Sequence, residues 1–199
     1  MVFRYSVCAV IGYLLGSVSG AILLSRFVFK QDVRTQGSGN AGATNAARVF
    51  GLGAGLLTFL FDFLKCVLAM FLGGSIAGTT GMVLAGAACL LGHCFPLLHN
   101  FRGGKGVSSG AAIAFAIDWR IGLLGIAAFA VAACSTRKVS VGSICAAIVI
   151  AVCTLLFGMS IQRIILAVFS ACLVIIRHRE NIKRLLAGTE PDFKAGETK

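Results

Sequence analysis

Seven apolar segments, at about 3–25, 52–73, 79–99, 107–118, 120–135, 139–157 and 161–176, alternate along the chain with short polar stretches. A run of about 20 apolar residues spans a bilayer as a helix, and most of these runs approach that length. The fourth and fifth are short and separated only by Asp118-Trp119-Arg120, so they read as two short helices or one broken hairpin. The seventh is also short for a full span, unless its ends reach the interface. The first has Arg4 and a small-residue patch at Ser19-Gly20-Ala21, like a signal peptide, but it is long for one and strong spans follow it. The pattern therefore predicts an all-α integral membrane protein, a bundle of about seven transmembrane helices. A single domain over residues 1–199 is expected. A flexible tail is expected from about 188 to 199, where Gly, Thr, Glu, Pro, Asp and Lys follow one another without an apolar period.

Composition agrees: 58% of the 199 residues are hydrophobic and only 13% charged, against about 45–50% apolar and about 25% charged in soluble domains. The formal net charge of +11 would suggest nucleic acid until the basic residues are located. They lie in short loops between apolar runs, as the positive-inside rule places them. Arg26, Lys30, Arg34, Arg48, Arg102, Lys105, Arg137, Lys138, Arg177, Arg179, Lys183, Arg184, Lys194 and Lys199 fall on one side, and only Arg4, Arg120 and Arg163 on the other. This bias predicts an outside N-terminus, a cytoplasmic C-terminus and no nucleic-acid partner. The eight cysteines form no CxxC pair and mostly sit inside apolar segments, which reads as small buried hydrophobes.

With this topology the unusual polar motifs all fall on the cytoplasmic side. The first is Gly37-Ser38-Gly39-Asn40-Ala41-Gly42-Ala43-Thr44-Asn45, followed by Arg48. Glycines free backbone N–H groups to approach an anion, and Arg adds a planar fork suited to phosphate. The second is Arg102-Gly103-Gly104-Lys105-Gly106, which opens an apolar helix. Glycines before a helix N-terminus form an anion site, and Lys105 adds a point charge. It is not a Walker A motif, so nucleotide hydrolysis is not indicated. The third is Arg177-His178-Arg179-Glu180-Asn181, where His178 and Asn181 share a helix face and His is the natural proton carrier near neutral pH. Its basic residues also read as an anchor after the last span. His93, in Gly92-His93-Cys94-Phe95-Pro96, reads either as a chemical group or as one that orders the loop before Lys105. Asp62 and Lys65, three apart inside the second segment, read as a mutual pair facing the bundle. No His, Cys or carboxylate cluster has metal-ligand spacing, and no metal or cofactor is expected.

Together these motifs resemble the bacterial acyl-phosphate:glycerol-3-phosphate acyltransferase family (PlsY). Its GSGN-x-G-x-TN-x-x-R, GH-x-FP…F-[KR]-GGKGV and H-x-x-N patterns stand here as Gly37–Arg48, Gly92–Val107 and His178–Asn181. Arg102 stands where a lysine is often found. The resemblance implies transfer of a fatty acyl group from acyl phosphate to the 1-hydroxyl of sn-glycerol 3-phosphate, giving lysophosphatidic acid and inorganic phosphate at the cytoplasmic face of the bacterial inner membrane. It implies that Ser38, Lys105, His178 and Asn181 serve catalysis. Gly37, Gly39, Asn40, Gly42, Thr44, Asn45, Arg48, Gly103, Gly104 and Ser143 would bind the two substrates. Arg48, Lys105 and Ser143 would hold glycerol phosphate, and the Ser38 loop the acyl phosphate. The general base stays open between His178 and the substrate's own phosphate. A small anion or organophosphate transporter is the alternative, although transporter sites favour the midplane and internal repeats, and no repeat is evident.

Overall fold

The computed structural model describes residues 1–196, so the last three residues of the expected tail, Lys199 included, lie outside the described residues. The chain divides into two compact units, residues 1–109 with the chain's end from Lys194, and residues 110–193. Four stretches among the described residues are long and apolar enough to cross a membrane: Val2–Phe27, Leu52–His99, Trp119–Thr136 and Val139–Leu156. The bent pair Ile161–Arg177 and Arg179–Leu186 supplies a fifth candidate, and Val107–Ile117 is a shorter apolar helix.

The first unit holds α1 (Val2–Ser17), α2 (Gly20–Phe27), α3 (Ala43–Phe50) and α4 (Leu52–Cys94). The long α4 reverses direction at Ala77 and Gly78, where Gly78 takes a positive φ of 60°. Its arms, 52–76 and 79–94, fold back on each other, so that a β-carbon at Gly86 would lie 3.1 Å from Met70 Cγ. The break between the second and third apolar segments is therefore a turn confined to Ala77 and Gly78, within the uncharged stretch 73–79. Helix α1 packs on α4 through glycines: a β-carbon at Gly12, Gly16 or Gly92 would overlap the facing helix backbone. Small residues at such crossings let membrane helices approach closely without a hydrophobic driving force.

The first arm of α4 shows what it means to be dissolved in lipid. Leu56, Leu60, Leu64 and Phe71 are exposed along one face, while Thr58, Asp62, Lys65 and Ala69 are buried along the other. The polar residues point inward because charge facing hydrocarbon costs several kcal/mol or more.

The apolar segment expected at 3–25 is broken at Val18 and Ser19. Ser19 starts α2 by accepting the Ile22 N–H on its side chain. The α4 charges close this break. Lys65 Nζ donates to Gly16 O (2.8 Å) and Val18 O (2.6 Å), at the electronegative end of α1. Asp62 Oδ1 accepts the Gly20 N–H (3.3 Å), at the electropositive start of α2. Cation on a helix C-terminus and anion on a helix N-terminus is the favourable arrangement for both dipoles.

Helix α5 (Val107–Ile117) begins in the first unit and runs into the second. The second unit continues with α6 (Trp119–Thr136), α7 (Val139–Leu156), α8 (Ile161–Arg177) and α9 (Arg179–Leu186). Asp118 adopts an extended backbone and caps α6 by accepting the Arg120 N–H at 2.8 Å. The fourth and fifth segments are thus two helices joined by a sharp turn, tight enough that a β-carbon at Gly122 would overlap the Phe115 ring. Of the eight cysteines, all free, Cys8, Cys66, Cys89 and Cys94 are buried as expected, whereas Cys134 and Cys172 are exposed.

Candidate functional site

In the first unit two side chains shape the loop after α2. Asp32 binds the Arg34 guanidinium through both oxygens, Oδ1 to Nε (3.0 Å) and Oδ2 to Nη2 (2.7 Å). These side-chain bonds hold the Asp32 carboxyl down at about 2, against the opposing effect of its partial burial. Arg34 Nη1 also donates to His99 O (3.3 Å), tying this loop to the one that follows α4.

Asn45 is the second shaping group. It is buried in the first turn of α3, and its amide nitrogen donates to Val33 O (2.9 Å) and Gln36 O (3.0 Å). Its Oδ1 accepts the Ser38 N–H at 2.8 Å. Gly37, between them, has a φ of 57°, and a β-carbon there would overlap Asn45 Oδ1. Asn45 thus spends both amide hydrogens on the loop's own backbone, and the exposed Ser38 is presented by it.

Gly42 precedes α3 in an extended conformation with no side-chain cap. Thr44 and Arg48 follow at i and i+4 on that helix, hence on one face. Arg48 is half-buried, and its side chain makes no hydrogen bond or ion pair with the described residues. A guanidinium with five donors is suited to an anion.

The second loop reaches the same place. After α4 the chain turns at Pro96–Arg102, the Gly104 N–H donates to His93 O (3.0 Å), and α5 starts after Gly106, whose φ is 84°. A β-carbon at Gly42 would lie 3.9 Å from Gly104 Cα and 3.1 Å from Asn40 Nδ2. The Gly37–Asn45 and Gly103–Gly104 loops therefore meet backbone to backbone within the first unit.

The second unit carries its own polar cluster. Helices α8 and α9 meet at a 57° bend whose corner is His178, buried and acting as the cap residue of α9. His178 Nδ1 lies 2.7 Å from Val174 O. A carbonyl only accepts, so Nδ1 carries the proton. Asn181, one turn on, is buried and donates from Nδ2 to Glu190 Oε1 (2.7 Å). Ser140 Oγ donates to the same oxygen (2.6 Å), and Arg184 Nε to Oε2 (2.7 Å). Ser143, three residues after Ser140 on α7, donates its hydroxyl to Val139 O (2.9 Å).

Glu190 had no role in the sequence reading, where it fell in the stretch read as a flexible tail. Residues 190–193 instead close over the start of α7. Besides the Glu190 bonds, Lys138 Nζ meets Asp192 Oδ1 (2.8 Å) and the Phe193 N–H donates to Arg137 O (2.9 Å). Burial pushes the Glu190 carboxyl up, but the bonds from Ser140, Asn181 and Arg184 outweigh it and hold it below the ordinary carboxylate range. The available signal was two acidic residues, Glu190 and Asp192, close behind a basic segment.

A family model described as glycerol-3-phosphate acyltransferase matches residues 6–188. A glycerol-3-phosphate acyltransferase of Thermoanaerobacter pseudethanolicus is 40% identical over 182 residues, covering 92% of each chain. One of Clostridioides difficile is 39% identical over 198 residues, covering 95% of each. Among solved structures, the fold matches PlsY (YgiH), an integral membrane glycerol 3-phosphate acyltransferase, in two forms. The glycerol 3-phosphate form has a TM-score of 0.91 at 33% identity, over 96% of both chains. The lysophosphatidic acid form has a TM-score of 0.88 at 32% identity, over 96% of this chain and 95% of the other.

Proposed function

Because this chain belongs to the glycerol-3-phosphate acyltransferase family, we propose that it transfers a fatty acyl group from acyl phosphate to the 1-hydroxyl of sn-glycerol 3-phosphate. The products are lysophosphatidic acid and inorganic phosphate, and the reaction is the entry step of bacterial phospholipid synthesis. The observation that carries the reading is the meeting of two glycine-rich loops at Gly42 and Gly104. Both substrates bear a phosphate, so the reaction calls for two anion sites close together, and two glycine-rich loops whose backbones meet, with Arg48 and Lys105 on the segments that follow them, suit that need.

The protein is a multi-pass membrane protein. The basic bias of its loops supports an active site on the cytoplasmic face of the inner membrane.

In the proposed reaction the glycerol hydroxyl oxygen attacks the acyl carbon. The bond from that carbon to the phosphate oxygen breaks, and the hydroxyl proton leaves to a base. Acyl phosphate is already activated, so orientation and neutralisation of phosphate charge suffice without a covalent enzyme intermediate. Lys105 and Arg48 bind the acceptor's phosphate, and the Ser38 loop, held open by Asn45, binds the donor's. The family motif also implies roles for three residues of the second unit, Ser143 in binding glycerol phosphate and His178 and Asn181 in catalysis. Two proton acceptors suit the chemistry: the His178 imidazole and an oxygen of the donor's own phosphate.

The test is direct. Purified protein in detergent, given palmitoyl phosphate and glycerol 3-phosphate, should release inorganic phosphate in step with lysophosphatidic acid. Absence of both products, with the protein folded, would overturn the reading.

A further inference from the structure

His93 lies between two features that the proposed reaction leaves unconnected. On one side is the buried pair of α4: Asp62 is fully buried and Lys65 is 6% exposed, with Nζ 2.7 Å from Asp62 Oδ1. Lys65 has three N–H donors. Gly16 O, Val18 O and Asp62 Oδ1 take all three. His93 Nδ1 nevertheless sits 3.4 Å from Lys65 Nζ and 3.7 Å from Asp62 Oδ1. One edge of the imidazole is thereby held against a neutralised ion pair that is itself anchored to the ends of α1 and α2.

On the other side is the Gly103–Gly104 loop. His93 touches it twice. Its main-chain oxygen accepts the Gly104 N–H at 3.0 Å, and a β-carbon at Gly103 would overlap that oxygen. Its ring edge faces Gly104 so closely that a β-carbon there would overlap Nε2. The next residue is Lys105.

We propose that His93 is a positioning residue. The Asp62–Lys65 pair fixes its ring from the Nδ1 edge, and the opposite edge fixes the path of Gly103 and Gly104, and with it the aim of Lys105 at the acceptor's phosphate. A packed core side chain keeps its place because the surrounding groups leave it no alternative. Here one buried charge cluster transmits that rigidity to an anion loop, so the acceptor's affinity depends on residues inside the membrane span. The inference rests on the reading of this loop as the glycerol phosphate site.

The experiment is a double-mutant cycle on the full-length enzyme, with glycerol 3-phosphate and palmitoyl phosphate varied in turn. Gly104→Ala places a methyl group against the imidazole and should raise the KM for glycerol 3-phosphate about tenfold, equivalent to ~1.4 kcal/mol. The KM for palmitoyl phosphate should stay within about twofold. His93→Ala should raise the same KM through a loosened loop. In the double variant the Gly104→Ala penalty should largely vanish, because the ring it strikes is gone. If His93→Ala does not fold, His93→Ser supplies the same cycle. Additive effects of the two substitutions on KM, or an equal fall in kcat with both KM values unchanged, would overturn the proposal. Lys105→Ala separates the two levels. If it leaves the KM for glycerol 3-phosphate unchanged, the loop is not the acceptor site. If it raises that KM while the cycle is additive, only the positioning role fails.

Discussion

Asn45 Oδ1 accepts the backbone N–H of Ser38 at 2.8 Å, so the residue that presents Ser38 is buried seven positions away in the next helix. The same amide donates to Val33 and Gln36. Asn45→Asp keeps the acceptor and removes both hydrogens, leaving a carboxylate against two carbonyl oxygens. An unmet buried polar group costs ~1–3 kcal/mol, more with charge. Asn45→Asp should therefore melt at lower temperature and lose most of its activity, as read by a thermal shift and by phosphate release. A variant with wild-type melting and full activity would mean that the loop does not depend on this amide.

Ser38 itself is exposed, and its bond to the buried Asn45 is made by the main chain, which alanine keeps. Ser38→Ala should melt like the wild type while turnover falls by at least about tenfold, the scale of one lost hydrogen bond to a charged group. Mass spectrometry of the wild-type enzyme quenched with palmitoyl phosphate should find no acylated Ser38. A trapped ester at that residue would replace the one-step transfer with a covalent route.

The apolar helices were legible because lipid imposes one simple rule, an apolar run of membrane length, although about seven spans were expected and only four stretches among the described residues, or five with the bent pair, are long and apolar enough to cross. The turn at Gly78 and the helix start at Asp118 lay where small and polar residues interrupt such runs. The two glycine loops stood out in the sequence because so many glycines and amides between apolar runs have no use in lipid, and their backbones do meet at Gly42 and Gly104. The break at Val18 was not, since Ser17 and Ser19 are no more polar than residues inside other membrane helices. What marks it is the Lys65 and Asp62 contacts from α4, across more than forty positions. Asn45 read as a ligand-type side chain, and only its three backbone contacts show it shaping the loop. Glu190 escaped for the opposite reason: its surroundings, Gly188 and Pro191 among them, have the composition of a tail, and its partners Ser140, Asn181 and Arg184 come from two other helices.

Glu190 gives the second unit a pH dependence whose sign follows from its partners. Its carboxyl is held below the ordinary value of 4.5 in the folded state. The folded protein therefore binds this proton less readily than the unfolded chain. The stabilisation is fully present above about pH 4.5 and is lost as pH falls through the lowered folded value. Glu190→Gln should lower the melting temperature at pH 7, since an amide cannot pair with Arg184 and a charge-assisted bond is worth ~1.5–3 kcal/mol. The gap between variant and wild type should narrow as the buffer is taken to pH 4 and below. A gap that stays constant over that range would show that the carboxylate's charge is not what holds residues 190–193 in place.

His178 is the last decision the site leaves to experiment. Its Nδ1–H is committed to Val174 O at 2.7 Å, which orients the ring. If the imidazole takes the hydroxyl proton, kcat/KM should fall on the acid side as the ring is protonated, and a positioned base contributes about 10²–10⁴-fold. His178→Ala should then lose that factor and also lose the acid limb, leaving a flat profile between about pH 5 and 7, the range in which an imidazole titrates. If the donor's phosphate takes the proton instead, the acid limb should survive in His178→Ala at a reduced rate, because protonation of the substrate still governs it. The pH profile of the variant therefore assigns the base, which its activity at a single pH would not.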